Sequence, residues 1–343
     1  MSYLVENKQD KGVIMIGKAK SQLSLLDSVF NRRKKCSRSD DLLKQIDKFV
    51  DWKRLEAEVR VIYKKSNRGR PSIPIIYLLK CLFLQYLYGL SDPQLEDALI
   101  DRLSFQRFLG ISFEEEIPDF TTIWRFRERL NKAKILDKIF DRIIEMLEER
   151  NLILRKGTIV DASIIRAARR PTKKEGAGNQ KKQESPQQDK DAQFTKRGNK
   201  SYYGYKGHIG IDQGSGIIRR AIFTPANIHD SKELENLIIG DERSVFADKA
   251  YDSEERKRYF RAMGIYYGIL DKSHRNRGLS NSQKKNNKRK SRIRNAVERV
   301  FAHFKTHYRF RRVRYVTLAR NEVQFKFICM IYNIRQGLAL TTG

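Results

Sequence analysis

The spacing of apolar residues changes near residue 150, and this change predicts two regions of different secondary structure. Before it, apolar residues recur at helical spacing, and the longest apolar stretch runs from Ile73 to Leu90. Pro74 near its start and Gly89 near its end are typical helix boundaries, so the stretch predicts a buried helix. Lys80 and Gln85 interrupt the stretch, and a membrane span is therefore not expected.

Two more helices are predicted before residue 150. Asp92, which is followed by proline, is expected to open a short helix, and Asp119 is expected to cap the next one. That second helix carries Arg125 and Arg127 beside aromatic residues, a composition that suits a helix lying against a DNA groove. An amphipathic helix with its cations in solvent explains the same pattern. Short helices joined by tight turns predict an all-helical, helix-turn-helix-like DNA-binding domain over residues 51–150.

Residues 1–50 are polar and patchy, and they are expected to form an N-terminal arm or loosely packed helices. This segment has a basic cluster at residues 32–35 and no apolar run of the kind found in signal peptides. The three cysteines of the chain are widely spaced and form no CxxC pair. A disulfide framework and a structural zinc site are therefore not expected, and a reducing cytosol fits this cysteine usage.

After residue 150, short β-prone runs alternate with helical stretches. The predicted strands are residues 158–162, 205–212, 216–223, 244–248 and 265–270. Helices are predicted over 230–239 and 253–263. Three strands, a helix, a strand, a helix, a strand and a long helix are the order of a ribonuclease-H-like α/β fold. We expect this fold over residues 151–343.

Two polar stretches interrupt this second region. Residues 169–201 are rich in Lys, Gln, Gly and Asn with almost no large apolar residue, which predicts a flexible surface insertion. A second polar run, residues 272–290, precedes the last helices.

The charge of the chain indicates a polyanionic partner. There are 71 Lys and Arg residues against 41 Asp and Glu, which gives a formal net charge of +30 and a pI near 10. Nucleic acid is the commonest ligand for such a surface. Residues 271–315 hold sixteen Lys or Arg against two acids, a density that favours phosphate contact over a merely solvated face. A structural RNA binder would have the same total charge, so charge alone does not predict catalysis.

Three acidic residues are candidates for metal-assisted phosphate chemistry. Asp161 and Asp248 each end an apolar strand, and Glu298 lies in a helical run with Arg294 and Lys305 on the same stripe. Adjacent strands that end at one edge would bring two carboxylates together, which is unfavourable unless divalent cations lie between them. Taken singly, a strand-end Asp more often caps a turn, and a helical Glu often forms an ordinary i,i+4 pair with Arg.

The motifs around these acids, taken together, resemble the DDE-type transposases of bacterial insertion sequences. The closest resemblance is to the insertion sequence five group of the insertion-sequence-four superfamily. Arg294, Glu298 and Lys305 occupy three places of the family's Tyr-x2-Arg-x3-Glu-x6-Lys signature, with Ser291 in place of the tyrosine. Other matching segments are residues 70–74, 118–127, 160–165, 195–212, 224–231, 247–252 and 332–333.

The resemblance implies a catalytic site and a substrate. Asp161, Asp248 and Glu298 would be the catalytic residues and would hold two Mg²⁺ ions, for which Mn²⁺ can substitute. Arg294 and Lys305 would bind DNA phosphates near the cut. His229 and Asp230 are similar to a His-Asp pair of the family. Either the pair lies near the scissile strand, or the Asp caps a helix and the His is hydrogen-bonded.

The resemblance also implies partners and a cellular location. The expected partners are the terminal inverted repeats of the mobile element and the target DNA, bound by a homodimer, with no membrane. The expected location is the cytoplasm of a bacterium, in association with the nucleoid. Two other functions remain open at this point: a DNA-binding regulator that has lost catalysis, and a metal-dependent nuclease without strand transfer.

Overall fold

The structure of the chain is a computed structural model that describes residues 38–63, 73–112, 115–171, 188–273 and 278–342. The predicted basic cluster at residues 32–35 and residues 172–187 of the predicted surface insertion lie outside these ranges. The chain divides into two compact units. Residues 1–150 together with 330–343 form the first unit, and residues 151–329 form the second.

In its described part, the first unit is built from helices. Up to residue 150 they are α1 (Arg38–Phe49), α2 (Trp52–Arg60), α3 (Ile75–Tyr88), α4 (Asp92–Asp101), α5 (Leu103–Leu109), α6 (Phe120–Ala133) and α7 (Leu136–Glu148). Helix α3 is apolar on every side and is almost wholly buried, as such a pattern requires. Its C-cap, Gly89, takes a left-handed conformation with φ of 64°, which favours glycine.

Buried side chains in this unit explain why α1 is not part of a loose arm. Leu43, Ile46 and Val50 are all at least 95% buried. Of the two forms expected for this segment, residues 38–49 take the helical one. The arm is wrong for them, because the apolar side chains of α1 recur at helical spacing and pack into a core.

The second unit contains a six-stranded mixed sheet. Its strands are β1 (Thr158–Arg166), β2 (Gln193–Arg197), β3 (Lys200–Asp212), β4 (Ile218–Pro225), β5 (Ser244–Phe246) and β6 (Tyr266–Tyr267). Strand β3 pairs antiparallel with β1, β2 and β4, whereas β5 lies parallel to β1 and β6 lies parallel to β5. The main order is β2-β3-β1-β5-β6, with β4 paired to β3. The unit is thus a mixed α/β structure.

Four α-helices and two short 3-10 helices, Asp230–Glu233 and Lys249–Tyr251, complete the described chain. The α-helices are α8 (Leu234–Leu237), α9 (Glu254–Ala262), α10 (Asn281–Thr306) and α11 (Leu318–Thr342). Helix α11 begins in the second unit, and its residues from Met330 onward belong to the first unit. None of the helices in the described ranges combines the length and hydropathy that a membrane span requires.

Helix α10 begins inside a segment that the sequence analysis treated as a polar connection, so that prediction is wrong for residues 281–290. Ser280 and Gln283 form a capping box at its start, where each side chain bonds to the backbone of the other residue. The Lys290 ammonium group donates a 2.8 Å hydrogen bond to the carbonyl of Ile269, and Asn287 exchanges hydrogen bonds with the backbone of Asp271. These contacts fix the helix against the segment that follows β6.

The predicted insertion at residues 169–201 contains regular structure in its described part. Strand β2 and the first residues of β3 form a hairpin there. The prediction of a flexible insertion is therefore wrong for residues 193–201. Backbone pairing with β3 orders this segment although it has few large apolar residues.

Candidate active site

The two aspartates come together because β1 and β5 are parallel neighbours. Asp161 lies in the middle of β1, not at its end as predicted, because β1 extends to Arg166. Thr158 pairs with Val245. Asp161 lies three residues after Thr158 within β1, and Asp248 lies three residues after Val245, two residues beyond the end of β5. The same register therefore places both carboxylates beside each other on one face. Val160 and Ala247 precede them and are fully buried in the core on the opposite face.

Glu298 reaches the site from α10, together with Arg294 one turn earlier. The Arg294 guanidinium group donates a 3.0 Å hydrogen bond to the Asp161 carboxylate and a second hydrogen bond to Glu298. The Arg294 and Asp161 side chains are 16% and 20% exposed, whereas the Glu298 side chain is 54% exposed. One cation thus bridges two of the three predicted acids.

Burial and neighbouring charges alter the acidity of Asp161. Loss of hydration is the main cause that raises its pKa to about 6, and the nearby carboxylates of Asp248 and Asp230 add to this rise. The amide of Ala162, which donates a 2.8 Å hydrogen bond to the Asp161 carboxylate, and the Arg294 guanidinium group both oppose it. Asp161 is therefore a carboxylate in a site that favours added positive charge.

All three acids line one cavity in the second unit. Its charged and polar lining also includes Asp230, Lys206, Lys305 and residues of β2. The cavity has a volume of about 510 Å³. It lies within the range of roughly 300–1,000 Å³ that is typical of ligand sites.

Asp230 is a fourth acid of this cavity, and the sequence alone leaves two roles open for it. The Lys206 ammonium group, nearly buried in β3, lies 2.8 Å from an Asp230 carboxylate oxygen and donates a hydrogen bond to the Ile228 carbonyl. His229 instead caps the short 3-10 helix that follows it, since its ring nitrogen accepts a hydrogen bond from the Ser231 amide at 3.3 Å. The His-Asp pair therefore divides into a capping residue and a cavity-lining acid.

The side chains of the cavity bear on whether it can hold a divalent metal. Within the described ranges, no group of three or more His, Cys, Asp or Glu side chains is arranged so that it could hold a metal ion. The Arg294 guanidinium group instead bonds to oxygens of Asp161 and Glu298. The donor set itself fits a hard cation, because carboxylate oxygens are the ligands that Mg²⁺ and Mn²⁺ prefer.

Lys305 lines the same cavity with no carboxylate bound to it in the described ranges. Burial lowers the pKa of the Lys305 ammonium group, and the nearby guanidinium groups of Arg197 and Arg311 lower it further. Lys305 and Arg197 both line the cavity that holds the acids, and the Arg311 side chain bonds to the Lys305 carbonyl. Such a cluster suits a ligand with negative charge.

The prediction that Arg127 binds DNA phosphates is wrong. The Arg127 side chain is 1% exposed and forms two hydrogen bonds with the Asp92 carboxylate, at 2.7 and 2.8 Å, and one with Gln85. The helical spacing of α6 turns this residue toward the core, where a buried guanidinium group needs an acid partner. Arg125, on the same helix, is exposed and remains available.

Helix α6 begins at the position that its capping residue predicts. Asp119 is the N-cap, and its carboxylate accepts a 2.6 Å hydrogen bond from the Thr122 amide, as predicted. Phe120 and Trp124 on this helix are 43% and 42% exposed. The exposed face of α6 thus combines aromatic and basic side chains.

Two family models match the chain. The model described as "Transposase DDE domain" matches residues 154–334, and the model described as "Transposase domain (DUF772)" matches residues 30–129. Among solved structures, the chain is similar to a cryo-EM structure of the piggyBac transposase synaptic complex with hairpin DNA. The two are 11% identical, the match covers 90% of this chain and 76% of that chain, and the TM-score is 0.45.

Proposed function

Because the chain belongs to the transposase DDE domain family and is therefore a DNA-cleaving and strand-transferring enzyme, we propose that Asp161, Asp248 and Glu298 form its catalytic site. The observation that carries this proposal is their convergence. Residues 87 and 50 positions apart in the sequence reach one cavity from β1, from the end of β5 and from α10. A chance arrangement of solvated acids would not be expected to place two of them on one partly buried arginine, Arg294.

The order of the strands supports a ribonuclease-H-like fold for the second unit. Three antiparallel strands, β4, β3 and β1, are followed by β5 and β6 parallel to β1, in the order β4-β3-β1-β5-β6. This is the order in which such a fold presents acids from its first and fourth core strands at one site. In this chain those acids are Asp161 and Asp248.

The family implies dependence on a divalent metal, and we assign Mg²⁺, as two ions that Mn²⁺ can replace. Asp161, Asp248 and Glu298 would hold them. When bound, such ions supply a water of lowered pKa and stabilise the leaving oxygen of a phosphodiester. For this to happen, the Arg294 side chain has to leave the oxygens that it now occupies.

Arg294 and Lys305 act on the DNA in this proposal. Once displaced from the carboxylates, the Arg294 guanidinium group can donate paired hydrogen bonds to a phosphate beside the cut. Lys305 lies at the same cavity and adds a positive charge where negative charge develops during cleavage. The 3′-hydroxyl freed by the first cleavage would then attack target DNA at this site.

The remaining parts of the proposal concern DNA recognition and assembly. Arg125 on the exposed face of α6 would contact DNA, which suits the basic and aromatic composition of that face. The terminal inverted repeats of the element would be the specific ligand, held by a homodimer because two ends must be brought together. The place of action would be the bacterial cytoplasm, at the nucleoid.

A cleavage and joining assay tests the proposal. The substrate is a labelled duplex with the terminal inverted repeat from the DNA that flanks the coding region. Wild-type protein with Mg²⁺ should cut at the repeat and join the freed end to a second duplex. Asp161→Asn, Asp248→Asn and Glu298→Gln should each lose both activities.

The controls separate the proposal from its alternatives. Arg243→Gln changes an exposed cation that precedes β5, at the opposite end of that strand from Asp248, and should cut normally. Cutting without joined products would identify a simple nuclease. Cutting that survives Asp248→Asn would rule out the assigned site.

A further inference from the structure

The hairpin formed by β2 and β3 carries basic residues into the candidate active site. Thr195, Lys196 and Arg197 line the same cavity as Asp161 and Glu298. We propose that this hairpin is a phosphate clamp that holds the DNA strand entering the cavity, with Arg197 and Lys196 as its contacts. This inference rests on the proposed function, and it names a DNA-binding element that the three catalytic acids do not specify.

The base of the hairpin is firmly attached to the second unit. Asp189, which is fully buried, accepts a 2.7 Å hydrogen bond from the Tyr205 hydroxyl and a 3.2 Å hydrogen bond from the Thr317 amide. The Tyr203 hydroxyl donates to the Asp189 carbonyl, and the ring of Tyr203 lies 4.7 Å from the ring of Phe194 in β2. These contacts fix the direction in which the hairpin projects.

The tip of the hairpin is a tight turn that presents only polar side chains. Arg197 pairs with Lys200, so the turn has two residues between them. Gly198 is the first of these and has a φ of 58°, at the position where type II′ turns favour glycine. Lys196, Arg197 and Lys200 are exposed. The tip therefore offers cations on a short, ordered support.

The acidic and basic side chains that line the cavity differ in whether they form ion pairs with one another. The acids of the lining are Asp161, Asp230, Asp248 and Glu298. The cations are Lys196, Arg197, Lys206, Arg294 and Lys305. Arg294 is bonded to two of the acids and Lys206 to a third. Within the described ranges, no ion pair joins Lys196, Arg197 or Lys305 to a carboxylate.

The cations without acid partners are close enough to affect one another. The positive charge of Arg197 lowers the pKa of the half-buried Lys305 ammonium group, as does that of Arg311. Like charges held this close repel each other unless an anion is present. A phosphodiester backbone meets this need, and an Arg side chain can bind one phosphate through two parallel hydrogen bonds.

The structure thus places a carboxylate set for the scissile phosphate and a cation set for neighbouring phosphates in one cavity. The two sets come from different elements. The acids are on β1, after β5, on α10 and at the start of a 3-10 helix, whereas Lys196 and Arg197 belong to β2. Changes at the hairpin tip can therefore alter DNA contact without altering the acids.

Salt dependence of DNA binding tests the clamp directly. The probe is a fluorescent duplex that ends at the terminal inverted repeat, and binding is measured in EDTA over a series of KCl concentrations, so that the DNA is bound but not cut. Arg197→Gln should reduce the steepness of the log–log slope by about 0.9, because one phosphate contact is lost. Lys196→Gln should reduce it similarly.

Arg243→Gln is the matched control, since it removes one exposed positive charge from the same unit, and its slope should equal that of the wild type. Melting temperatures of all three variants should match the wild type, because the three side chains are exposed. A slope for Arg197→Gln equal to that of Arg243→Gln would overturn the clamp.

The cleavage assay keeps this inference separate from the proposed function. If the wild type cuts DNA with Mg²⁺ and Arg197→Gln behaves as Arg243→Gln does in binding and cutting, only the clamp fails. If the wild type does not cut, the catalytic assignment fails, and a reduced slope for Arg197→Gln would still support the hairpin as a DNA contact.

Discussion

At the scale of single residues, Asp161 shows how the fold changes the chemistry of an ordinary side chain. Its neighbours in the sequence are apolar, so the strand carries it into a largely buried place. There, Asp248 and Asp230 add negative charge while Arg294 compensates part of it. The site is therefore organised around a carboxylate whose ionised form needs a cation.

Replacement of Asp161 by Asn should stabilise the metal-free protein at neutral and alkaline pH. The folded-state pKa of about 6 lies above the unfolded value of about 3.9, so the wild type loses stability as pH rises from about 4 through 6. Above pH 6 the free energy of unfolding of Asp161→Asn should exceed that of the wild type by up to about 3 kcal/mol. Urea unfolding in EDTA as a function of pH measures it.

Two further measurements check the direction of this change in stability. Below about pH 4 both proteins carry a neutral side chain at residue 161, and their free energies of unfolding should converge. Added Mg²⁺ should stabilise the wild type more than Asp161→Asn. Equal stability of the two proteins near pH 8 in EDTA would contradict the assigned environment.

Arg294→Gln should increase the affinity of the DNA-free protein for Mn²⁺. The guanidinium group now bonds to Asp161 and Glu298, so its removal frees both carboxylates and eliminates a competing positive charge. Calorimetric titration with Mn²⁺ measures the change, with Arg243→Gln as the control. Weaker binding by Arg294→Gln would mean that the arginine positions the carboxylates for the metal and does not compete with it.

At the scale of elements, α6 and α10 each have two faces with different roles. On α6, Arg127 is buried against Asp92, whereas Arg125 is exposed two residues earlier. On α10, the buried positions include Val297 and Phe304, while the first two turns are exposed and basic. Helical periodicity, and not the type of residue, decides which cations are free to meet DNA.

The two arginines of α6 should respond oppositely to replacement by alanine. Arg127→Ala leaves the Asp92 carboxylate without its buried partner and should lower the free energy of unfolding by roughly 3–5 kcal/mol. Arg125→Ala should leave stability within about 0.5 kcal/mol of the wild type.

DNA binding by Arg125→Ala completes this comparison. The steepness of its log–log salt slope should fall by about 0.9 if Arg125 contacts one phosphate. Urea unfolding and fluorescence binding on the same protein samples measure both effects. A stable Arg127→Ala protein would show that the buried ion pair is dispensable.

At the scale of the whole molecule, the net charge of +30 sets the general affinity for nucleic acid. The excess is concentrated in residues 271–315, of which α10 forms the largest part. Within that helix, Glu298 is the sole acid, and it faces the candidate active site. The positive surface and the proposed catalytic acid Glu298 are thus carried by one element.

This distribution predicts a steep salt dependence for DNA binding by the wild type. Neutralisation of six or more phosphates gives a log–log slope more negative than about −5. Fluorescence anisotropy with a duplex over a range of KCl concentrations measures the slope. A shallow slope would show that the basic segment is not at the DNA interface.

Much of the architecture follows from local patterns in the sequence. The apolar stretch of α3 with its glycine cap, the Asp119 cap of α6 and the five core strands were all indicated by spacing and by turn residues. Local patterns do not indicate strand β2 or the first turns of α10, because the side chains of these segments are polar. Pairing with β3 and docking through Lys290 order these segments, and neither contact is visible in local sequence.

The sequence by itself determined which residues are chemically able to act: the acids, the cations around Glu298 and the overall charge. Only the tertiary structure decided which of them meet. Parallel pairing of β1 with β5 aligned Asp161 and Asp248, helical phase buried Arg127, and the hairpin brought Arg197 to the cavity. The physical reason is that side-chain chemistry is local, whereas contact between distant residues depends on register and on the burial of apolar faces elsewhere in the chain.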